Sequence, residues 1–343
     1  MDGITDAPMR AYMAGLGAFS YAVTEFVRVS GSVVPTKVFR REVPELESPI
    51  PIPVHVQLLG GDPDRMAESA LRAVAAGAVS IDLNFGCPAP VVNRHDGGAA
   101  LLRHPCRLRD IVRAVRDAVP AAVPVSAKMR LGYDDPSAID ENAAMGEEGG
   151  ASWITIHART KAQGYRPPVD WSALGRVRAR AGVPIVANGD IWSLDDFRLC
   201  RDLTGCDRFM IGRGALASPR LPGEIARELG IGSPRPVGGW AEELGGFVAR
   251  LGPGDHSRRL KGWLHLAHLH GAFDRWEEVK RLATHGEILA VLTPGATFQV
   301  AGVRDLRGPR ESSSETRMVS DTGDLEGRTR APAVALTCHN PQE

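Results

Sequence analysis

Charge of neither sign is in surplus: 41 lysines and arginines face 41 aspartates and glutamates over 343 residues. No global positive field therefore points to a nucleic-acid partner, and any basic surface must be local; composition neither suggests nor excludes RNA. Cysteine is sparse. Cys87, Cys106, Cys200, Cys206 and Cys338 are odd in number and show no Cys-x-x-Cys or Cys/His spacing, which argues against a disulfide framework and against a metal site, and reads as a reduced, cytoplasmic chain. No apolar run approaches the roughly 20 residues of a membrane helix, and the amino terminus lacks a charged-then-apolar signal pattern, so neither membrane nor export is expected. Nor does a Gly-x-Gly-x-x-Gly follow a first strand, which leaves the usual dinucleotide-binding fold without its fingerprint.

What is present centres on Ser80 to Pro88, Ser-Ile-Asp-Leu-Asn-Phe-Gly-Cys-Pro. An apolar strand carrying Ile81 and Leu83 breaks into Asn84-Phe85-Gly86-Cys87-Pro88, a turn that no strand could continue. Gly86 permits backbone angles closed to other residues and Pro88 fixes the angle after the sulfur, so Cys87 stands on a rigid turn at a strand's carboxyl end. That is where α/β proteins place their chemistry. A lone intracellular cysteine more often fills a small apolar gap, but this turn is poor core material.

With 43% hydrophobic residues the chain can bury a large core, and its length suits one barrel-sized domain plus a smaller one. A helix is expected from Asp6 to Leu16 and a strand from Ser20 to Phe26. Strand–helix units follow: Pro53 to Leu59 with Pro63 to Ala76, capped by Asp62; Val79 to Leu83 with Arg107 to Ala118; Val123 to Met129 with Ser137 to Glu148; Trp153 to His157 with Trp171 to Ala181; Pro184 to Ala187 with Leu194 to Leu203; Arg208 to Ile211 with Leu221 to Leu229. This βα alternation implies a parallel sheet covered by helices. Seven strands can be counted, and a helix at Asp6 behind the turn Met1-Asp2-Gly3 implies an eighth before Met1. The expected fold is an α/β (β/α)8 TIM barrel over residues 1–231 with its first strand truncated. The linker Gly232-Ser233-Pro234-Arg235-Pro236 leads to a small all-helical domain over 237–292, and 293–343 is polar, Gly/Pro/Ser-rich and read as a disordered tail.

In such a barrel the active face collects the residues at strand ends. Here these are Gln57; Asn84 and Cys87; Lys128 and Arg130; His157 and Arg159; Asn188-Gly189-Asp190; and Gly212-Arg213-Gly214. Each alone reads as an ordinary surface group; a structural protein has no reason to put all of them at matched positions. The last two groups supply close-approach glycines and a guanidinium where barrels often hold a phosphate, and a flavin phosphate is the natural candidate. Gln57 can donate to and accept from a pyrimidine-like ring edge, while Lys128 and His157 offer donors to an anionic flavin ring.

The motifs Thr24-Glu25-Phe26-Val27-Arg28-Val29, Val56-Gln57-Leu58-Leu59-Gly60, Asp82 to Pro88, Lys128-Met129-Arg130-Leu131-Gly132, His157-Ala158-Arg159-Thr160, Asn188-Gly189-Asp190 and Met210 to Ala215 resemble, in order, the tRNA-dihydrouridine synthases. Phe26 to Val29 and Arg258 to Leu264 are most similar to the synthase C branch, which modifies D-loop uridine 16. The resemblance implies an FMN enzyme, reduced by NADPH or NADH, that passes hydride to C6 of a tRNA uracil while Cys87 protonates C5. A thiol with the unperturbed pKa of about 8.5 is mainly protonated at neutral pH and can act as an acid. It further implies that Met1 joins Gln57, Lys128, His157, Asn188, Gly189, Asp190, Gly212 and Arg213 around the flavin. Asn84 and Tyr165 would hold the flipped uridine, and Arg28, Arg259 and Lys261 would grip the tRNA. A monomer is expected.

Two departures stand out. Only Met1-Asp2-Gly3 remains of the family's first strand end, and a barrel short of one strand exposes two unpaired edges, at a cost to folding and flavin affinity. The 293–343 segment matches nothing in the family pattern. The competing readings are a flavin oxidoreductase of a free pyrimidine or small enone, similar to dihydroorotate dehydrogenases, and a non-enzymatic RNA-binding remnant. A helical tRNA platform is superfluous to the first, and a bound yellow flavin is foreign to the second.

Overall fold

The computed structural model describes residues 5–94 and 97–294; Met1 and the tail from residue 295 lie outside the described residues. The sheet is parallel throughout, in the order β1 (Ala22–Val23), β3 (Val54–Leu59), β4 (Ile81–Phe85), β5 (Val125–Arg130), β6 (Trp153–His157), β7 (Ile185–Asn188) and β8 (Arg208–Met210), with β2 (Val27–Arg28) also paired to β3. Every residue of β3 is buried and β4 is nearly so, as strands covered on both faces must be. The outer helices are α1 (Ala7–Ala14), α2 (Thr36–Glu42), α3 (Pro63–Ala75), α4 (Pro90–Asn93), α5 (Pro105–Ala118), α6 (Ile139–Glu148), α7 (Trp171–Arg178), α8 (Leu194–Thr204), α9 (Arg213–Ala217) and α10 (Leu221–Leu229). This is the TIM-type barrel architecture; the outer edges of β1 and β8 pair with no strand among the described residues.

The expected strand from Ser20 to Phe26 is two pieces instead. Ala22 and Val23 pair with Val54 and His55, but Val27 and Arg28 pair with Leu58 and Leu59, so the first strand carries one extra residue and bulges. Charge is the cause. Glu25 cannot stay in a buried ladder and turns aside to Arg10, which is itself buried and also bonds Glu45 through Nε at 2.7 Å. Thr24 stays in place, its Oγ1 accepting the Gln57 N–H at 3.0 Å. Asp62 caps α3 as expected, accepting the Arg65 N–H at 2.9 Å. Gly212-Arg213-Gly214, read as a group at a strand end, opens α9, and α2, α4 and the 3-10 turn Gly98–Arg103 were not anticipated.

Beyond residue 231 the described chain is helical: α11 (Trp240–Val248), α12 (Ser257–Leu269), α13 (Trp276–Val279) and α14 (His285–Leu292). Their apolar faces share one core with α1 and α9, built on Trp263, whose ring lies 5.1 Å from Tyr12 and 5.3 Å from Phe247 and whose Nε1 donates to the Leu216 carbonyl at 2.7 Å. A buried carboxylate completes the joint. Glu243 accepts from Tyr12 Oη at 2.5 Å, from both Arg235 Nη atoms and from the Gly238 N–H at 2.8 Å. Burial alone would raise the Glu243 carboxyl, but Arg235, Tyr12 and that N–H bring it down to about 2. A carboxylate held below its unfolded value contributes stability above that unfolded value and loses it as pH falls. Glu243→Ala is therefore expected to cost about 2 kcal/mol in urea unfolding at pH 7. The gap from the parent should narrow as pH falls below the ordinary 4.5 toward about 2.

Candidate active site at the carboxyl ends of the strands

A cavity of about 1270 Å³ runs from the strand starts, at Ile52, His55, Trp153 and Asp207, to the carboxyl ends, where Gln57, Asn84, Cys87, Lys128, His157, Tyr165, Asn188, Gly189, Asp190, Gly212 and Arg213 all line it. Arg28 does not; it is exposed on a separate recess of about 570 Å³ beside Asp6 and Glu25. Nor do Arg259, ion-paired to Asp6 at 2.6 Å, and Lys261, whose Nζ donates to the Leu282 carbonyl at 3.1 Å. Arg259 and Trp263, one turn apart on α12, meet the same ring: the exposed Arg259 guanidinium lies 5.1 Å from Phe247 and the buried Trp263 indole 5.3 Å from it.

The Cys87 turn is held from every side. Asn84 Oδ1 accepts the N–H groups of Gly86 and Cys87, both at 3.0 Å. The Cys87 carbonyl accepts from the Ala99 N–H at 3.1 Å and from Asn93 Nδ2 at 3.0 Å, and Arg130 Nε donates to the Gly86 carbonyl at 2.8 Å. Gly98, at φ +59°, lies where a Cβ would stand 3.0 Å from the Cys87 Cβ and carbonyl oxygen, so a larger residue there would be strained in its backbone and would press on the cysteine turn. Behind Asn84 runs a buried relay. Asn84 Nδ2 donates to Gln57 Oε1 at 2.8 Å, Gln57 Nε2 donates to Asp82 Oδ2 at 2.7 Å, and Ser126 Oγ donates to Asp82 Oδ1 at 2.6 Å. Backbone donors at one end and a carboxylate at the other allow the two amides only this orientation. Gln57 thus has both ends of its amide engaged inside the protein, and Asn84 orients the cysteine turn.

Cations dominate the remaining wall. Lys128 Nζ donates to Asn188 Oδ1 at 3.0 Å, and burial, helped by nearby Arg130, lowers its pKa to about 8. His157 is buried with Nδ1 unbonded; desolvation and then Lys128, Arg130, Arg159 and Arg213 push its pKa far down and keep it neutral. Asp190, in the left-handed region at φ 46°, grips fully buried Arg159 with both oxygens and stands 3.5 Å from Arg213 Nη2. Gly189 before it, at φ 125°, would bring a Cβ to 3.3 Å from the Ala158 nitrogen. Asp190 therefore positions arginines; an anion would meet Arg213. The guanidinium of Arg213 sits 4.5 Å from the Tyr165 ring and 5.1 Å from that of Trp192. Sequence reasoning gave no role to Asp82, Asn93, Gly98 or Trp192; the one available signal was an aspartate inside an apolar strand.

The sequence profile described as dihydrouridine synthase (Dus) matches residues 1–244. The chain belongs to the dihydrouridine synthase family. A protein named tRNA-dihydrouridine(16) synthase from Shewanella oneidensis is 49% identical over 229 residues, covering 66% of this chain and 73% of its own. Proteins of the same name from Ralstonia nicotianae and Cupriavidus necator are 41% identical over 309 and 299 residues, covering 85% and 81% of this chain and 93% and 92% of theirs. Members of this family are flavin-dependent oxidoreductases. The site suits such a cofactor: several cations, an unbonded buried imidazole nitrogen and a desolvated lysine leave it short of negative charge. Among the described residues no group of His, Cys, Asp and Glu could hold a metal ion, and no helix is long and apolar enough to cross a membrane.

Asn84→Ala strands the Gly86 and Cys87 N–H groups. It should lower stability by about 1–3 kcal/mol and speed iodoacetamide alkylation of Cys87 at fixed pH; an alkylation rate equal to the parent's would mean that Asn84 does not hold the turn.

Proposed function

We propose that this protein reduces a D-loop uridine of tRNA, at position 16, to 5,6-dihydrouridine, with FMN as the bound flavin and NADPH as the reductant. The relatives named for that modification support the substrate, and a cytoplasmic location accords with it. The observation that carries the reading is the clamped Cys87 turn on the same cavity as Lys128 and Arg213. When bound, FMN supplies the hydride that reduces uracil C6, having received it from NADPH.

The chain's own residues supply the rest. Arg213 would hold the flavin phosphate beside the backbone of Gly189 and Gly212, and Lys128, with His157 neutral, would balance negative charge on the ring. The thiol of Cys87 gives its proton to C5, which completes a two-electron, two-proton reduction of the 5,6 double bond. The thiolate left behind lies in the field of buried Arg130 and recovers its proton from water. Tyr165, more than half exposed at the cavity mouth, offers a face for the extracted base, and Asn84 keeps one amide hydrogen for it. Residues 1–231 act as the catalytic domain and 237–292 as the tRNA platform. Arg28, exposed and in no ion pair among the described residues, is one cation open to a phosphate. Arg259 and Lys261 reach the tRNA only by leaving the partners they hold here.

Cys87→Ala should lower dihydrouridine formation by about 10²–10⁴-fold while the purified protein stays yellow with flavin. Turnover equal to the parent's removes the thiol from the mechanism. Lys128→Met should purify with little FMN yet unfold at a higher temperature than the flavin-free parent, because a desolvated ammonium has been replaced by an apolar chain. Full flavin content in that variant excludes Lys128 from the cofactor site.

A further inference from the structure

Arg213 is half-buried, and it is held in an unusual way for an arginine read as an anion contact. Its one ion pair among the described residues, to Asp190, is long at 3.5 Å, and Asp190 is already occupied by Arg159 on both oxygens. Ring faces do the holding: Tyr165 at 4.5 Å on one contact and Trp192 at 5.1 Å on another. Trp192 is backed in turn by His270, whose ring is stacked on it with centroids 3.5 Å apart and planes 13° from parallel. His270 is the C-cap of α12, and Gly271 after it turns the chain through φ +73°. The Trp192 main chain is fixed as well, its backbone N–H donating to Asp196 Oδ2 at 3.1 Å within the cap of α8. The loops meet closely as well, since a Cβ on Gly214 would lie 2.0 Å from the Ile191 carbonyl oxygen.

We infer that Trp192 and His270 are positioning residues for Arg213: the column His270–Trp192–Arg213–Tyr165 holds the guanidinium ready for a phosphate, so that the helical segment takes part in retaining the cofactor. A long, flexible side chain binds an anion better when its conformers are already restricted, and a planar guanidinium held by aromatic faces keeps most of its N–H edge available to the ligand. The inference rests on the reading of Arg213 as the phosphate contact.

The test compares FMN with riboflavin, which lacks the phosphate, by quenching of flavin fluorescence on full-length protein stripped of flavin. The parent is expected to prefer FMN. His270→Ala and Trp192→Leu should each weaken FMN by about five-fold and leave riboflavin unchanged, and His270→Phe, which keeps a stacking ring, should restore FMN binding. Equal weakening of both flavins by His270→Ala, unaltered FMN binding, or a Phe variant no better than the Ala one overturns the inference while leaving Arg213 in place. A parent that binds FMN and riboflavin alike sinks the phosphate reading of Arg213 itself, and the column's role with it.

Discussion

The hydrogen-bond relay from Ser126 through Asp82, Gln57 and Asn84 to the Cys87 backbone governs how this site can be built. Each member sits on or just after a strand of the sheet, and strand pairing places them: Gln57 opposite Asp82, Asp82 opposite Ser126. The order of the sheet therefore dictates the direction of the amides, and the amides dictate the shape of the turn. Burial raises the Asp82 carboxyl, with Ser126, Gln57 and Lys128 acting against that shift. A half-satisfied buried network would be worse than an apolar core, so the relay tolerates little variation in any one member. A thiol that must meet one carbon of a bound base benefits from that intolerance.

Electrostatics divide the cavity into two kinds of positive charge. Arg130 and Arg159 are buried and spend their donors on carbonyls and on Asp190, tying the loops after β4, β6 and β7 to one another. Lys128 and Arg213 are held more loosely, each by one long or single contact. The first pair shapes the cavity; the second is left with capacity for a ligand. Concentrating unneutralised charge here lowers the stability of the ligand-free protein, and a bound anion restores it.

The gathering of Cys87, Lys128, His157, Asn188 and Arg213 on one cavity was legible in the sequence, because strand ends in a βα repeat converge on one face whatever the details of packing. What stayed hidden depended on contacts between distant segments. Nothing local marks His270 as a neighbour of Trp192, and the bulge at Thr24 to Phe26 arises from Arg10 and Glu45, which lie on either side of it in the chain. Asn84 and Gln57 were recognised as polar groups at strand ends, yet their commitment to each other follows only from register. Periodicity also overlooked α4 and α9, helices too short for an apolar stripe to repeat.

The helical segment shows the limits of reading charge from sequence most clearly. Arg258 to Lys261 looks like a basic grip, but Arg259 is drawn to the N-cap Asp6 of α1 and Lys261 to the Leu282 carbonyl beyond α13. Arg275 and Lys280 likewise pair with Glu278 and Glu277. Much of the basic charge there thus secures the fold. Under the proposed function, tRNA would meet few unengaged cations, in keeping with a chain of zero formal net charge. Recognition then has to rest on the shape of the surface between the cavity mouth and α12, more than on a broad attraction to phosphate. The buried joint of Tyr12, Trp263 and Glu243 becomes part of that recognition, because it holds the surface in one arrangement.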